Sequence, residues 1–413
     1  MIKLIQDSLS VSQTEEGPLS EHLETYTNQL IEQGYSNHYI RFQVQTIAHF
    51  NQWLHMAGTT VNVITSAHIE QYRQNVALSV STCKRHTSVL HRFIRFLQQL
   101  GVAEPPPPAV QTPVQAVLAS FKRFCLHDRG LCSSTFIRHR PLIKRFLIQC
   151  FGDDEIDLHT LTCEHLIDFI QSEAVRPTTA SGSGARWATD ALRAFLRYGV
   201  YHDGINAELI DAVPAGPSWL STDIPKAISP QDSQAVLANC PRDTPISRRD
   251  YAILTLLVHL GLRACEVVSL TLDSIHWSEG SIDIIGKGGQ SSRLPLPTPV
   301  GEAIADYLCH GRIHCQERVL FLRMCPPIKG FSGSQAIDSI VNAAITRAGV
   351  NPPTRGAHQF RHAFAIGLLR KGATLAQIAA LLRHKHVKTT NIYAKTDIQT
   401  LRTLAMSWPG GTQ

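Results

Sequence analysis

Two proline-rich segments constrain the fold of this chain more than any other feature of its sequence. EPPPPAVQTP occupies positions 104–113, and VPAGPSWLSTDIPKAISP occupies positions 213–230. Proline fixes φ and lacks a backbone N–H, so neither segment can continue a helix, and each predicts a stiff, extended connector. A chain of 413 residues also exceeds the length that one hydrophobic core usually serves. We therefore predict domains at 1–103, 114–212 and 231–413, with linkers at 104–113 and 213–230.

The first two domains resemble each other. Ile40-Arg41 recurs as Ile137-Arg138, and TSAHIEQY at 65–72 recurs as TCEHLIDF at 162–169, in both cases 97 positions later. Apolar residues recur at helical spacing in both copies. This pattern predicts a duplicated helical domain, although short helical segments also resemble one another by chance.

The third domain combines helices with a short sheet. SRRDYAILTLLVHLG predicts a helix that is capped by Ser247 and ends near Gly261. SIDIIGKGGQSSRLPLP alternates with period two on both sides of a glycine turn, which predicts an antiparallel β-hairpin. Further helices are predicted at 300–310, 334–348, 357–371, 375–382 and about 388–393. The fold class is mainly α with a small antiparallel β-sheet.

The formal charge of +6 is distributed unevenly along the chain. Positions 221–413 hold 21 Lys/Arg and 13 Asp/Glu, a balance of +8. This asymmetry favours a polyanionic partner, and an ordinary soluble surface is also compatible with it.

Cysteine and hydropathy patterns exclude several classes of protein. The ten cysteines form no CxxC pair and no Cys/His pattern typical of zinc, which favours free thiols in a reducing compartment over disulfides or a metal site. The N-terminus reaches acidic residues before any apolar run of signal-peptide length, and no apolar stretch is long enough to span a bilayer. We expect a soluble, cytoplasmic protein with no membrane partner.

Six polar residues of the third domain have complementary chemistry. Two guanidiniums can clamp the non-bridging oxygens of one phosphodiester and stabilise the charge of a pentavalent transition state. A tyrosine can then attack phosphorus, helped by surrounding cations or a histidine base, and a lysine on a hairpin can protonate the leaving oxygen. The residues are Arg263 in GLRACEVVSL, Lys287 in the hairpin turn, His358 and Arg361 in HQFRH, and His384 and Tyr393 in LLRHKHVKTTNIYAK. Together they predict a covalent phosphoryl-transfer site that uses no metal, ATP or cofactor.

These motifs resemble those of the tyrosine recombinases, the phage-integrase family. The family carries an Arg, Lys, His, Arg, His-or-Trp set and a tyrosine nucleophile. GLRxxE at 261–266, Lys287, HxxR at 358–361 and the box from His384 to Tyr393 match this set. The resemblance spans 226–413 and implies that Glu266 buttresses the site from behind the residues that contact DNA. It also implies that the helical region at 115–212 is similar to the family's SAM-like core-binding domain, which forms a C-shaped clamp around DNA with the catalytic domain.

The function implied by the resemblance is site-specific DNA recombination or integration, for a transposon or another mobile element. Tyr393 would form a 3′-phosphotyrosyl link, Lys287 would protonate the leaving oxygen, and His358 would act as acid and base. The phosphorane-like charge would be stabilised by Arg263, Arg361 and His384. The implied partners are double-stranded DNA, further copies of the chain in a synaptic homotetramer, and accessory DNA-bending or sister recombinase proteins. The segment 396–406 would dock on a neighbouring copy, and the protein would be associated with the nucleoid when on DNA.

Two features depart from the family pattern. The family has glycine directly before the histidine of the last box, whereas this chain has Arg383, which implies a different helix cap or an additional phosphate contact. An extra helical copy at 18–102 precedes the family's two-domain plan. The candidate DNA contacts are Lys84, Arg85, Lys122, Arg123, Arg138, Arg140, Lys144, Arg383, Lys385 and Lys388, although most solvated helix faces carry similar residues.

Two alternatives stay open at this point, and zinc ligation is disfavoured. A type IB topoisomerase uses similar tyrosine chemistry on a single duplex, and a catalytically idle DNA-binding protein can share the fold. Zinc ligation by His358 with His362, or by His384 with His386, lacks a carboxylate or cysteine partner at ligand spacing.

Overall fold

The computed structural model describes residues 17–75, 80–105, 111–152, 154–176, 183–214, 224–286, 289–384, 386 and 389–396. The chain divides into two compact units: Pro106–Asp223 forms one, and Met1–Pro105 together with Ile224–Gln413 forms the other. Separate clusters of buried apolar side chains lie within 19–103, 114–213 and 228–360. The division into three domains with two linkers remains a prediction.

The helices of the first segment surround an apolar core. They are α1 (Ser20–Glu32), α2 (Asn37–Met56), α3 (Ser66–Asn75) and α4 (Val80–Gln99), with a 3-10 turn at Val61–Val63. One stripe of α2, including Ile40, Val44 and Ile47, is buried, as expected for an amphipathic helix that packs on a core. The side chain of Ser36 caps α2 by accepting a hydrogen bond from the Tyr39 N–H at 3.3 Å.

The second segment has a similar order of elements, with a π-turn after its first helix and a short helix at its end. Helix α5 (Pro113–Arg123) continues into a π-turn at Phe124–Asp128, and α6 (Ser133–Phe151) and α7 (Cys163–Ala174) flank a 3-10 turn at Leu158–Thr160. Helix α8 (Ser183–His202) precedes the short α9 (Glu208–Ala212). The third long helix of each segment also begins with the same cap: the Thr65 N–H donates to His68 Nδ1, and the Thr162 N–H donates to His165 Nδ1, both at 3.2 Å. A duplication would produce this correspondence, and the duplication itself remains our proposal.

The C-terminal region is helical with one small sheet. Its helices are α10 (Pro230–Ala238), α11 (Pro245–Leu260), α12 (Ala264–Ser269), α13 (Thr298–His310), α14 (Gln335–Ala348), α15 (His358–Arg370) and α16 (Leu375–Leu381), followed by a terminal 3-10 helix at Asn391–Thr396. The antiparallel sheet has the order β1 (Ile275–His276), β2 (Ser281–Ile285), β3 (Ser291–Pro295), and Ile282 pairs with both Ile275 and Leu294. The predicted fold class and the predicted hairpin are confirmed.

Helix α11 forms the centre of this region, and it packs against α13 and α15. It begins three residues earlier than predicted, because Pro245 occupies its first position and Thr244 is the N-cap. Ser247, the predicted cap, lies in the first turn, where its Oγ accepts the Thr244 N–H at 2.9 Å. The helix ends as predicted at Gly261, which is left-handed with φ 57°.

None of the helices in the described ranges combines the length and the apolar character that a membrane-spanning helix needs.

Gly261 is expected to tolerate no side chain, for two separate reasons. Its φ is positive, and an added Cβ would lie 2.7 Å from Phe364 Cδ1. Gly261→Ala should lower the free energy of unfolding by about 2 to 4 kcal/mol, the sum of left-handed strain and overpacking. Gly349 is the matched control, since its φ is 68° and nothing lies within 4 Å of the added Cβ. Gly349→Ala should cost about 1 to 2 kcal/mol. Equal losses in urea denaturation of the two variants would contradict the steric argument.

Candidate active site

Five of the predicted site residues lie together in the C-terminal region, on separate elements. Arg263 lies between the end of α11 and the start of α12. His358 and Arg361 lie on the first turn of α15, which packs against α11. His384 follows α16, and Tyr393 lies in the terminal 3-10 helix; α16 and that 3-10 helix pack against α15 and against each other. Packing of these helices therefore brings together side chains that are up to 130 positions apart in sequence.

The start of α15 is held by polar side chains of α14. Asp338 Oδ1 accepts a hydrogen bond from the Ala357 N–H at 2.8 Å, and Asn342 Oδ1 accepts one from the Gly356 N–H at 3.1 Å. These contacts satisfy backbone donors in front of α15 that no helical carbonyl can reach. They fix the position at which His358 enters the site.

Glu266 is fully buried and connects two arginines. Its Oε1 accepts a hydrogen bond from Arg263 Nη1 at 2.7 Å. Its Oε2 accepts from the Arg263 backbone N–H and from Arg383 Nη2, both at 2.8 Å. Burial raises the pKa of the Glu266 carboxyl, but the charge of Arg383 and the hydrogen bonds from Arg263 outweigh burial and leave that pKa below its ordinary value. The carboxylate is therefore ionised at neutral pH and fixes the guanidinium of Arg263.

Arg383 points into the protein and does not extend from its surface. Its side chain is 7% exposed, and besides Glu266 it contacts the Leu381 carbonyl, to which Nη1 donates at 3.0 Å. The backbone closes α16 with a Schellman motif: the Arg383 N–H donates to the Ala380 carbonyl and the His384 N–H donates to the Ala379 carbonyl. Arg383 has φ 55°, the left-handed conformation that glycine usually supplies at this position.

Of the two consequences expected from an arginine at this position, the structure therefore shows the cap. The Arg383 guanidinium is paired with Glu266, and the phosphate contact at Arg383 stays a prediction.

Arg361 is 1% exposed and is anchored by backbone carbonyls. Its Nη1 donates to the Gly261 carbonyl at 2.8 Å, and its Nη2 donates to the Leu382 carbonyl. Burial, followed by the charge of Arg263, lowers the pKa of Arg361 to about 10, so it keeps its proton at neutral pH. Gly261, the left-handed residue at the end of α11, therefore orients the guanidinium of Arg361 through its backbone carbonyl.

The charges of this cluster do not balance. The guanidiniums of Arg263, Arg361 and Arg383 lie close enough to influence one another, and Glu266 is the carboxylate in contact with two of them. The site therefore carries excess positive charge in a place of low solvent exposure, where an anion is bound more strongly than in water. An arrangement of this kind is suited to a phosphate group.

Tyr393 is 1% exposed and packs against Ala365, Ile378 and Leu382. Its Oη lies 3.0 Å from His362 Nδ1, within hydrogen-bond distance. Burial raises the pKa of Tyr393 and the charges of Arg361 and Arg263 lower it, with burial the larger effect. The surrounding cations act in the expected direction, but burial outweighs them, so the phenol keeps its proton in this state.

The histidines of the site are neutral at neutral pH. Burial first, and then neighbouring positive charges, lower the pKa values of His362 and His384 to about 4. The His358 side chain is exposed at the surface, but desolvation by the surrounding protein and then the charges of Arg361 and Arg263 lower its pKa as well. The His358 ring meets the His362 ring edge-on, with centroids 4.5 Å apart.

A threonine orients the last of these histidines. Thr390 is buried, and its Oγ1 lies 2.7 Å from His384 Nδ1. When the threonine O–H donates to Nδ1, the imidazole proton is on Nε2, which can then donate to another group. The Thr-Thr pair between His384 and Tyr393 therefore supplies a support for the histidine.

The remaining predicted site residues fall into two groups. Lys287, Lys385 and Lys388 lie outside the described residues. The others are exposed on helices α4, α5 and α6: Lys84, Arg85, Lys122, Arg123, Arg138, Arg140 and Lys144. In the part of the chain that the structure describes, no group of three or more His, Cys, Asp or Glu could hold a metal ion.

The residue that contacts the phenol of Tyr393 was not predicted from the sequence. His362 was considered only as a zinc ligand, and the role of base was given to His358. One signal was available: His362 follows His358 by four positions on one helix, a spacing that puts both rings on one face. The pairing with Tyr393, 31 positions further on, depends on tertiary packing.

The chain is similar in sequence to known integrases and recombinases. Residues 226–400 match the model of the phage integrase family. Over 413 residues the chain is 39% identical to the putative integrase/recombinase y4rA of Sinorhizobium fredii, and the match covers 99% of each chain. The first helical segment lies within that match.

Two solved structures share the fold at low sequence identity. One is the XerH site-specific recombinase bound to its palindromic difH substrate, with a TM-score of 0.53, 17% identity and coverage of 73% of this chain and 99% of XerH. The other is the Tn1549 transposon integrase in complex with transposon right end DNA, with a TM-score of 0.52, 13% identity and coverage of 70% of this chain and 99% of that chain. With the near full-length relative, these findings confirm the recognition made from the motifs: the chain belongs to the phage integrase family of tyrosine recombinases.

Proposed function

We propose that this chain is a site-specific DNA recombinase that cuts and rejoins double-stranded DNA through a phosphotyrosyl intermediate. The observation that carries the proposal is the excess of guanidinium charge at Arg263 and Arg361 beside the phenol of Tyr393. Fixed cations stabilise the charge that develops when phosphorus becomes pentavalent, and they need no reorganisation at the moment of reaction.

The proposed first step exchanges one phosphodiester bond for another. The Oη of Tyr393 forms a bond to phosphorus while the bond from phosphorus to the 5′ oxygen breaks. The phenol proton passes to His362 Nδ1, and the leaving 5′ oxygen takes a proton from Lys287. A 5′-hydroxyl of the partner strand then reverses these transfers. The phosphodiester is conserved in the covalent link, so the reaction as proposed uses neither ATP nor a metal ion.

The other residues of the site have supporting roles in this proposal. Arg263, Arg361 and the Nε2–H of His384 stabilise the phosphorane-like charge, and His358 serves as acid and base at the phosphate. Glu266 does not contact DNA; it holds Arg263 in place. The transfer of the phenol proton to His362 becomes favourable when a bound phosphate adds negative charge, because that charge raises the pKa of a nearby imidazole.

The biological setting and the assembly are also proposals. A mobile element is supported by the likeness to y4rA and to the transposon integrase fold. By family resemblance, the active assembly is a homotetramer on two DNA sites, with accessory DNA-bending or sister recombinase proteins, and the chain works on DNA at the nucleoid. The segment proposed to dock on a neighbour, 396–406, lies outside the described residues after Thr396.

Tyr393→Phe is expected to abolish cleavage and leave DNA binding intact, since it removes the nucleophilic oxygen alone. The measurement is a covalent protein–DNA adduct on a nicked suicide substrate, whose sequence is first mapped by footprinting. Tyr201→Phe, at a 70% exposed tyrosine, is the control and should form the adduct normally. An adduct in the Tyr393 variant would disprove the assignment. Relaxation of supercoiled DNA that lacks a cognate site, without strand transfer between two sites, would instead favour a topoisomerase.

His362 is expected to act through the nitrogen that contacts the phenol. His362→Phe keeps the ring and removes the acceptor, and should slow cleavage by roughly 10²- to 10⁴-fold, the usual effect of losing a general base. His362→Asn retains an acceptor near the position of Nδ1 and should recover part of the rate. The measurement is single-turnover cleavage as a function of pH. Equal rates for the Phe variant and the unaltered protein would remove His362 from the mechanism.

Glu266→Gln is expected to destabilise the protein in a pH-dependent manner. The pKa of Glu266 in the folded state lies below its ordinary value. The charge of Glu266 therefore stabilises the fold at a pH above the ordinary pKa, and this contribution is lost as the pH falls through the folded-state pKa. At neutral pH the variant should lose about 3 kcal/mol in free energy of unfolding, since it leaves buried guanidiniums without their partner. The difference should shrink in urea denaturation below about pH 4.

The control for this experiment is Glu317→Gln, at an exposed carboxylate. It should change the free energy of unfolding little at either pH. A pH-independent loss in the Glu266 variant would show that packing, and not charge, explains its effect.

A further inference from the structure

The first helical segment separates its charges between its helices. The two long helices, α2 and α4, contain no Asp or Glu in forty residues, and their cations are Arg41, Lys84, Arg85, Arg92 and Arg95. The carboxylates of the described part of this segment lie on the other helices or at its end: Glu21, Glu24, Glu32, Glu70 and Glu104. A segment whose overall charge is almost neutral therefore presents one strongly basic pair of helices.

Aromatic side chains join these two helices at one end. The Arg85 guanidinium lies over the Phe42 ring at 5.8 Å, and the His86 ring meets Phe42 edge-on at 5.3 Å. The Arg92 guanidinium lies over the Tyr35 ring at 5.4 Å and donates to Tyr35 Oη at 3.0 Å. Contacts of this kind hold a guanidinium in position without neutralising its charge.

We define the basic-aromatic face by residues that these contacts bring together, with the exposed cations Arg41 and Lys84, which adjoin Phe42 and Arg85 in sequence. Tyr35 and Tyr39 stack with centroids 5.3 Å apart, which continues the row of rings along the start of α2. The face consists of Tyr35, Tyr39, Arg41, Phe42, Lys84, Arg85 and Arg92.

The cations of the face differ in their partners from the arginine on α3. Among the residues that the structure describes, no carboxylate lies within ion-pair distance of Arg41, Lys84 or Arg85, all of which are exposed. In contrast, Arg73 on α3 pairs with Glu70. Grouped cations without counter-charges repel one another, and a polyanion relieves that repulsion.

The face also adjoins the region that carries the candidate active site. The carbonyl of Gln33 accepts a hydrogen bond from the Ile328 N–H at 3.1 Å, two residues before Tyr35. Ile328 belongs to the same compact unit, in the loop between α13 and α14. The first segment and the C-terminal region are therefore in direct contact within this compact unit.

The second helical segment shows a related arrangement. Helix α6 contains no Asp or Glu, and Arg138, which is 97 positions after Arg41, lies over the Trp187 ring of α8 at 4.9 Å. In both segments an arginine on an aromatic ring connects the second and fourth long helices. This segment is the one that the family resemblance assigns to DNA.

We propose that the basic-aromatic face of the first helical segment binds the sugar-phosphate backbone of duplex DNA outside the region in which the strand is cut. The proposal rests on the recombinase function proposed above. The chain then holds DNA with one module more than the two-domain plan of the family, and the added contact is independent of sequence because it is made to phosphates.

The test compares two double variants of the full chain with equal loss of charge. Arg41→Gln/Arg85→Gln removes two unpaired cations of the face. Arg73→Gln/Arg318→Gln removes two exposed cations that are paired with Glu70 and Asp273. Binding to a random-sequence duplex of about 40 base pairs is followed by fluorescence anisotropy between about 50 and 200 mM salt, and circular dichroism melting checks that all proteins are folded.

The face variant should bind roughly tenfold more weakly at intermediate salt, and its slope of log affinity against log salt should fall by about 2, one for each lost phosphate contact. The paired-cation control should retain the slope of the unaltered protein. In footprinting, the control should also protect a longer stretch of the mapped site than the face variant does. Equal affinities, slopes and footprints for the face variant and the control would overturn the proposal, and would leave an acidic protein surface as the partner that fits the face.

A separate measurement distinguishes this proposal from the proposed function. The amount of Tyr393 adduct per bound suicide substrate should be the same for the face variant and the unaltered protein, because the variant retains every residue of the candidate active site. Loss of affinity with a normal adduct supports both proposals. If neither the variant nor the unaltered protein forms an adduct, the recombinase proposal fails, while the difference in salt dependence still decides whether the face binds DNA.

Discussion

The ion pairs of Glu266 are the interaction on which the rest of the site depends. A single buried carboxylate accepts hydrogen bonds from Arg263 and Arg383, which come from different elements 120 positions apart. Without it, guanidiniums of like charge would have to approach one another in a place that excludes water, which is strongly unfavourable. With it, the end of α11 and the end of α16 are joined, and the cluster still keeps a net positive charge for an anionic ligand. The same contact thus serves stability and chemistry.

Local sequence patterns were sufficient for the parts of the fold that depend on neighbouring residues. The apolar spacing of α11, the glycine at its end and the alternation around the hairpin turn each report a local preference, and the structure has these elements at or near the expected positions. The helix start was misplaced because both Thr244 and Ser247 are good caps. Proline at the first position decides between them, since it requires the cap to be the residue before it.

The features that the sequence did not reveal depend on tertiary packing. An arginine beside a histidine and lysines reads as a surface cation, but the left-handed backbone at Arg383 turns its side chain towards Glu266. The same limitation applies to Tyr393. Cations near a phenol favour its ionisation, and only the packing of the terminal 3-10 helix against α15 and α16 shows that burial has the larger effect and that His362 is the contact of the phenol.

The burial of Tyr393 also bears on when such a protein can cut DNA. A side chain that is 1% exposed and is enclosed by Ala365, Ile378 and Leu382 cannot meet a phosphorus atom without a rearrangement of the segment that carries it. The cluster that encloses Tyr393 is much smaller than the core around α11, so moving the segment requires less free energy than opening that core. In the proposed reaction, the phenol would therefore meet a phosphate only after the segment that carries it has moved.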